Sequence, residues 1–481
     1  MLPGAAFMNT SSPEVDAATR RRRPRIAVFG HYGNKNLGDE AIIEAVINNL
    51  RHHLGDPEIY CFSIDPFDSA QRHGVKAFPI RYRRDFFAKH HGYIEPESAS
   101  DQQQATSTSG ESFPNTGSPG TPQSWKGHLK SLPLVGPLLR GTQALLDFRH
   151  TAKQEVQFLR IAKSHLQGID LLLVTGSNQF LDNFGGPWGF PYTLMKWTFI
   201  AKQTSTRVAF ISVGAGPLEK RLSFRFLKWT LSMADYVSVR DEGSRALLQS
   251  RIGVEPDVFP DIAHKLKGRQ SFPDQKRQEG NPSTVAVNPM PVYDRRYWYE
   301  ADDDKFTAYV DKLSQLCATI LGDGHTLELF STQEKDENVI DEIVVRLRRN
   351  PEFEDWQARI RISRSSEVSE LMSAIERADI VVATRFHATV LPLQLGKPVL
   401  GICYYRKAAE LLDDVGLGEY WVDLDDFTCE TLIQKYRTLL SNRHEKAKEL
   451  GEHLCRYSQD LDRQYLALCG LLEQKHEPNG R

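Results

Sequence analysis

Two runs of alternating apolar and amphipathic segments, separated by one polar stretch, constrain this chain more than any other feature. The first run opens with the apolar segment Arg25–Gly30. Helical spacing of Ala41, Ile42, Ala45, Val46, Asn49 and Leu50 follows from near Asp39. Further strands are expected at Glu58–Ile64, Leu171–Gly176, Arg207–Gly214 and Tyr236–Arg240, with a helix through Lys220–Ala234. The alternation restarts after a polar stretch at 266–282. Strands at Thr284–Pro289, Thr326–Phe330, Arg359–Ser363, Ile380–Ala383 and Pro398–Cys403 are then interleaved with helices Asp303–Leu321, Glu337–Arg349 and Glu367–Ala378. Strands that alternate with helices pair in parallel, because each crossover returns the chain to the same end of the sheet. The pattern therefore predicts two parallel-sheet α/β domains, with ligands at the carboxyl ends of the strands and in the cleft between domains.

The same reading sets boundaries. Residues 1–23 are polar, end in Arg20–Arg23 and are expected to be a disordered tail. The N-terminal domain runs over 24–265. It is interrupted at 92–125, where Ser, Thr, Gln, Pro and Gly leave too little apolar surface to offset ordering entropy, so a disordered insertion is expected. A helical pattern over 126–168, interrupted by Pro133 and Pro137, carries the apolar patch Leu132–Leu146, assigned to core or interdomain packing in preference to a membrane surface. The linker 266–282 leads to a C-terminal domain at 283–425 and to helices within 426–481, at Phe427–Leu440 and Arg443–Leu472.

Charge and cysteine usage exclude several classes. With 60 Lys+Arg against 62 Asp+Glu, the net charge of −2 argues against a broadly basic nucleic-acid binder. It leaves room for a local basic pocket. The six cysteines form no CxxC pair, so neither a disulfide framework nor a zinc site is expected, and a reducing cytoplasm fits. No apolar core follows the basic run at the N-terminus and no long uninterrupted apolar stretch exists. Neither a secretory signal nor a transmembrane helix is expected.

Four motifs fall at predicted strand ends. Gly30–Ala41 (GHYGNKNLGDEA) opens a helix with three glycines, spaced unlike a dinucleotide fingerprint or a P-loop. Asn36 and Asp39 are candidates for sugar hydroxyls, and Asp39 equally suits a helix first turn. Val174–Gly186 concentrates glycines and the amides Asn178 and Gln179, either to bind a ligand or to satisfy a buried loop. Ser238–Ser244 (SVRDEGS) places Arg240 at a strand end, where it either grips an anion or pairs with Asp241, Glu242 or Asp261. Val381–Ala388 (VVATRFHA) and Gly396–Lys407 bring Arg385, His387, Arg406 and Lys407 to adjacent strand ends, and a histidine bracketed by cations is an acid/base candidate.

In this order the four blocks resemble the polysaccharide pyruvyl transferase family, over roughly residues 25–410. The resemblance implies an α/β fold of two Rossmann-like domains similar to the GT-B glycosyltransferase arrangement. It implies transfer of the enolpyruvyl unit of phosphoenolpyruvate to a sugar, usually as a ketal bridging two hydroxyls. By motif, Arg240 and Lys407 correspond to ligands of the phosphoenolpyruvate anion and His387 to the acid/base. Arg385 corresponds to a further ligand or an organiser of the site. Asn36, Asp39, Asn178 and Gln179 are the candidates for contacting the sugar acceptor, for which nucleotide- and lipid-linked forms are both open. Thr175-Gly176-Ser177 stands where many relatives carry three glycines, a departure on the acceptor side. The expected co-substrate is phosphoenolpyruvate, with no metal and no resident cofactor. The expected location is the cytoplasm, with peripheral contact at the inner membrane face if the acceptor is lipid-linked. Two other classes share the architecture: a GT-B glycosyltransferase using a nucleotide sugar, and a non-catalytic sugar-binding protein.

Overall fold

The computed structural model describes residues 22–90, 92–96, 136–266, 282–298 and 300–473, with backbone alone for the start of the helix Gly136–Leu166 as far as residue 150. Eight strands form the first sheet: β1 (Arg25–Phe29), β2 (Glu58–Ser63), β3 (Lys76–Pro79), β4 (Leu171–Thr175), β5 (Asn178–Phe180), β6 (Arg207–Ala215), β7 (Tyr236–Val239) and β8 (Asp257–Val258). Their order is β3-β2-β1-β4-β6-β7-β8, with β5 added to β6 and every pairing parallel. The second sheet holds β9 (Thr284–Asn288), β10 (Thr326–Phe330), β11 (Ile360–Ser363), β12 (Ile380–Ala383), β13 (Val399–Cys403) and β14 (Trp421–Asp423). Its order, β11-β10-β9-β12-β13-β14, is also parallel throughout.

Both sheets are doubly wound. β4, β6, β9, β12 and β13 are buried at every residue, as expected of strands with helices on both faces. The winding reverses between β1 and β4 in one sheet and between β9 and β12 in the other, opening a crevice at each strand end. The motif loops leave β1, β4 and β12 at these two points.

Several boundaries differ from expectation. Arg22 and Arg23 fall in the expected tail, yet Arg22 pairs with Asp170 at 2.6 Å and Arg23 with Asp56 at 2.5 Å. The expected insertion begins too early at residue 92. Ile94 is buried and bridges Ala77 antiparallel, with N–H···O distances of 3.0 and 2.8 Å. Residues 1–21, 97–125 and the linker interior 267–281 lie outside the described residues, as do the side chains of the Leu132–Leu146 patch. Pro137 does not interrupt the helix: it stands in the first turn of Gly136–Leu166, where its missing N–H has no intrahelical partner to lose.

The last helix, Arg443–Glu473, returns to the first domain. Buried Gln464 donates to Ser212 Oγ (3.1 Å) and Ser238 Oγ (2.9 Å) beneath the first sheet. Lys265 Nζ reaches Asp462 at 2.8 Å, and His53 stacks on Tyr465 with ring centroids 5.3 Å apart. Among the described residues, no helix is long and apolar enough to cross a membrane.

Candidate functional site

The loop after β1 is built by its own side chains. Asn36 caps the helix Leu37–Leu54, accepting from Gly38 N–H at 3.2 Å and donating to Asp39 Oδ2 at 2.8 Å. The cap is therefore Asn36, and Asp39 lies inside the first turn, 6% exposed. Fully buried Glu40 accepts from Gly33 N–H at 2.9 Å and lies 2.8 Å from His73 Nε2, which fixes the loop. Leu37 N–H donates to Thr332 O of the second domain at 3.1 Å, so the loop bridges the cleft. A Cβ on Gly38 would stand 2.3 Å from His387 Nδ1, so only glycine lets the helix start approach that ring.

The amides after β4 separate. Asn178 donates from Nδ2 to Gly216 O at 2.6 Å and accepts from Lys407 Nζ at 2.9 Å. Gln179 takes the buried-loop alternative: it is 0% exposed and donates to Thr175 O at 2.9 Å, with its Oε1 buried without a hydrogen-bond partner. Enclosed in the first domain, it braces the turn and offers no surface to a sugar.

Arg240 follows β7 and makes the carboxylate pairing that was one of the two roles left open for it. Its Nη1 donates to Asp261 Oδ2 at 3.0 Å, and its guanidinium lies 4.2 Å from the centre of the Phe386 ring across the cleft. Its Nε is buried without a hydrogen-bond partner, 3.7 Å from Asp241 Oδ2. A Cβ on Gly214 would meet Asn178 Oδ1 at 2.7 Å and Arg240 Nε at 2.9 Å, so these groups converge over bare backbone.

The second domain supplies the other half. Arg385, at the end of β12, is held by Asp336, with Nε 2.7 and 2.9 Å from the two carboxylate oxygens and Nη2 at 2.6 Å. That pairing occupies Nε and Nη2 of Arg385 with one carboxylate. His387 opens the helix Phe386–Gln394, with Nε2 3.9 Å from Asp261 Oδ2 and no hydrogen-bond partner. Lys407, in the first turn of the helix Arg406–Asp414, donates to Asn178 Oδ1 and to Ala215 O and, among the described residues, pairs with no carboxylate. Arg406 corrects the expected cluster of four cations: its side chain is 92% exposed, 3.6 Å from Glu410, and stands outside the cleft.

Burial sets the protonation states. His387 is pushed down to about 4 by burial, with Arg240 and Arg385 acting in the same sense and Asp261 opposing them. The ring is neutral at pH 7. Asp39 moves the other way, to about 7, because burial and neighbouring Glu40 disfavour its charge. Lys407 falls to about 8 through burial and the Arg240 charge. Burial alone would raise the Asp261 carboxyl, but His387 and Arg240 hold it below the ordinary value. The result is an enclosed site with two partnered arginines, a lysine on neutral acceptors, a neutral imidazole and a carboxyl near its midpoint. Arg240 Nε, Asp241 Oδ2 and His387 Nε2 are buried here without hydrogen-bond partners, leaving donor and acceptor capacity unused.

Sequence reasoning gave no site role to Asp261, Asp336 or Glu40. The signal for Asp261 is its place after β8, directly following Pro260, at another strand end. Asp336 carries no comparable signal, since in sequence it is one of several acids at a helix start. Among the described residues, no group of three or more His, Cys, Asp and Glu is arranged to hold a metal.

Comparison with known proteins adds the following. A family model described as polysaccharide pyruvyl transferase matches residues 36–405. No curated protein matches the chain by sequence. Among solved structures, the chain is similar to a UDP-N-acetylglucosamine 2-epimerase, at 13% identity over 96% of this chain and 99% of that one, with a TM-score of 0.50. A glycosyltransferase from Rickettsia africae ESF-5 aligns at 10% identity over 95% of this chain and all of its own (100%), with a TM-score of 0.49. At 13% identity the likeness to the epimerase is one of fold alone.

Proposed function

Because the chain belongs to the polysaccharide pyruvyl transferase family, we propose that it transfers the enolpyruvyl group of phosphoenolpyruvate to a sugar, closes a pyruvate ketal across two hydroxyls and releases phosphate. The observation that carries this reading is the convergence of Lys407, the unpartnered Arg240 Nε and the unpartnered His387 Nε2 at facing strand ends. Phosphoenolpyruvate carries a carboxylate and a phosphate, and a dianionic phosphate calls for fixed cations in a water-poor site. Among the described residues Lys407 has no paired carboxylate to displace, and Arg240 Nε is a free donor. Arg385, neutralised by Asp336, positions the turn that carries His387.

The chemistry needs one group that gives a proton and one that takes it. Asp39, holding its proton to about pH 7, donates to the methylene carbon of phosphoenolpyruvate, and the neutral His387 accepts the proton of the attacking sugar hydroxyl. Carbon 2, electron-poor once carbon 3 is protonated, forms a bond to the sugar oxygen. The bond from carbon 2 to the bridging phosphate oxygen then breaks, and His387 returns its proton to the departing phosphate. A second hydroxyl closes the ketal and gives its proton to the Asp39 carboxylate. The two hydroxyl protons thus account for the new methyl hydrogen and the phosphate proton. Lys407 and Arg240 stabilise the charge on the leaving group. Asn36 and Asn178, at the edge of the same enclosure, remain the candidates for acceptor hydroxyls.

The test is incubation with phosphoenolpyruvate and a panel of nucleotide-linked and lipid-linked sugars. Phosphate release matched by the mass gain of one pyruvyl ketal is expected, and His387→Ala should lose about 10²–10⁴-fold of it. Undiminished turnover by His387→Ala removes the assigned base. Release of a nucleoside diphosphate without phosphoenolpyruvate selects the nucleotide-sugar glycosyltransferase instead, and no turnover together with sugar binding selects the non-catalytic reading.

A further inference from the structure

The first domain carries exposed aromatic surface. Phe184 (64% exposed) and Trp188 (65%) stand in the loop between β5 and the helix Phe190–Gln203, and Trp229 (57%) lies on the helix Arg221–Met233. Gly185 and Gly186 both take positive φ, and the loop closes so tightly that a Cβ on Gly189 would fall 2.2 Å from Phe184 O. Phe226, on the second helix, links Trp188 to Trp229, with ring centroids 5.6 Å from the first and 6.4 Å from the second. One continuous patch results.

Lys220, Arg221, Arg225 and Lys228 are exposed around this patch, and the segment Lys220–Met233 contains no carboxylate. Among the described residues, none of the four is ion-paired; Glu219 is the acid next to them in sequence. Tryptophan next to unpaired Lys and Arg matches the boundary of an anionic bilayer, where the rings sit at headgroup level and the cations meet phosphates. A second copy of this chain fits the face poorly. A two-fold contact would set the same four cations against each other.

The patch is tied directly to the site. Asp182 accepts from Glu219 N–H (3.1 Å) and Lys220 N–H (2.7 Å), which fixes the helix start to the loop after β5. Asn178 of β5 accepts from Lys407 and donates to Gly216 O, four residues before Lys220. We propose that this face docks the protein on an anionic phospholipid surface, with Trp188 and Trp229 entering the headgroup layer. Docking in this orientation brings a lipid-linked sugar to the rim of the cleft. The proposal rests on the surface alone and does not depend on the phosphoenolpyruvate reading.

The test is flotation of the full chain with vesicles of phosphatidylcholine and with vesicles of phosphatidylcholine and phosphatidylglycerol in equal parts. Binding to the mixed vesicles alone is expected, weakening as salt is raised. Arg225→Gln with Lys228→Gln should lower the partition constant about 30-fold, from the usual contribution of a basic residue near an anionic surface. Trp188→Ser with Trp229→Ser should lower it about 10-fold or more. Both pairs are surface changes that should keep the thermal transition and phosphate release on a water-soluble acceptor. Absence of binding to either vesicle, equal binding to both, or unchanged binding by both variants overturns the proposal. A wild-type chain that self-associates and binds no vesicles, with monomeric variants, overturns it in favour of a subunit interface.

Discussion

At the scale of single residues, the site divides labour by environment. Asp39 and His387 are pushed in opposite directions from their ordinary values, to about 7 and about 4, both chiefly by burial. Burial favours whichever form is neutral, so it gives the carboxyl a proton and takes one from the imidazole. The expected rate profile follows with definite signs. Activity declines as pH rises through about 7, because Asp39 loses the proton it must donate. It declines below about 4, because His387 becomes charged and cannot accept one. In Asp39→Asn the residual rate, lower by about 10²–10⁴-fold, should lack the limb near 7 and decline only through about 8, where Lys407 loses its charge. A pH series on phosphate release checks this, and an unmoved limb removes Asp39 from the role. These two candidates were legible as residue types at strand or helix ends. Their protonation states were not, because no sequence pattern gives the depth at which a side chain is buried.

At the scale of elements, strands and their ends were more legible than caps and edges. The long buried strands follow apolar runs such as Leu171–Thr175 and Arg207–Ala215, which two covered faces demand. The strands missed by periodicity are short: β3, β5, β8 and β14 have 2–4 residues each, too few to show a period. Helix starts shifted for local chemical reasons, with Asn36 in place of Asp39 and a Gln333/Asp336 capping box before the expected Glu337. That box does a second task, since Asp336 also neutralises Arg385 across 49 residues of sequence. Asp336→Ala should therefore cost more than a cap. It leaves a buried guanidinium unpaired, a loss of about 3–5 kcal/mol, whereas loss of a cap alone costs about 1 kcal/mol. Chemical denaturation distinguishes the two. A loss of only about 1 kcal/mol would show that Arg385 finds another partner or reaches water.

At the scale of the whole molecule, enclosure of the site makes stability depend on pH. His31, His264 and His387 are each held near 4 by burial, against an ordinary value near 6.5. Between these values the unfolded chain binds three protons that the native chain refuses. Asp39 opposes them with one, since it is protonated in the native state up to about 7 and ionised in the unfolded chain above about 4. The net uptake of two protons on unfolding means that stability falls as pH is lowered from 6.5 towards 4, by roughly 2–3 kcal/mol per pH unit. His53, His165 and His325 are shifted in the same direction and reinforce the trend. The urea midpoint should drop accordingly between pH 6.5 and 5, and a flat or rising midpoint contradicts it. By itself, the sequence determined the two parallel α/β domains, the family, and the placing of Arg240, Arg385, His387 and Lys407 at strand ends. All of these follow from patterns local to the chain: apolar runs, helical spacing and motif order. Only the tertiary structure decided that Arg385 is neutralised by Asp336, that Gln179 is sealed inside and Arg406 turned out to solvent, and that Gly38 meets His387 across the cleft. Those outcomes depend on which surfaces close against each other over hundreds of residues, and on the loss of water when they do.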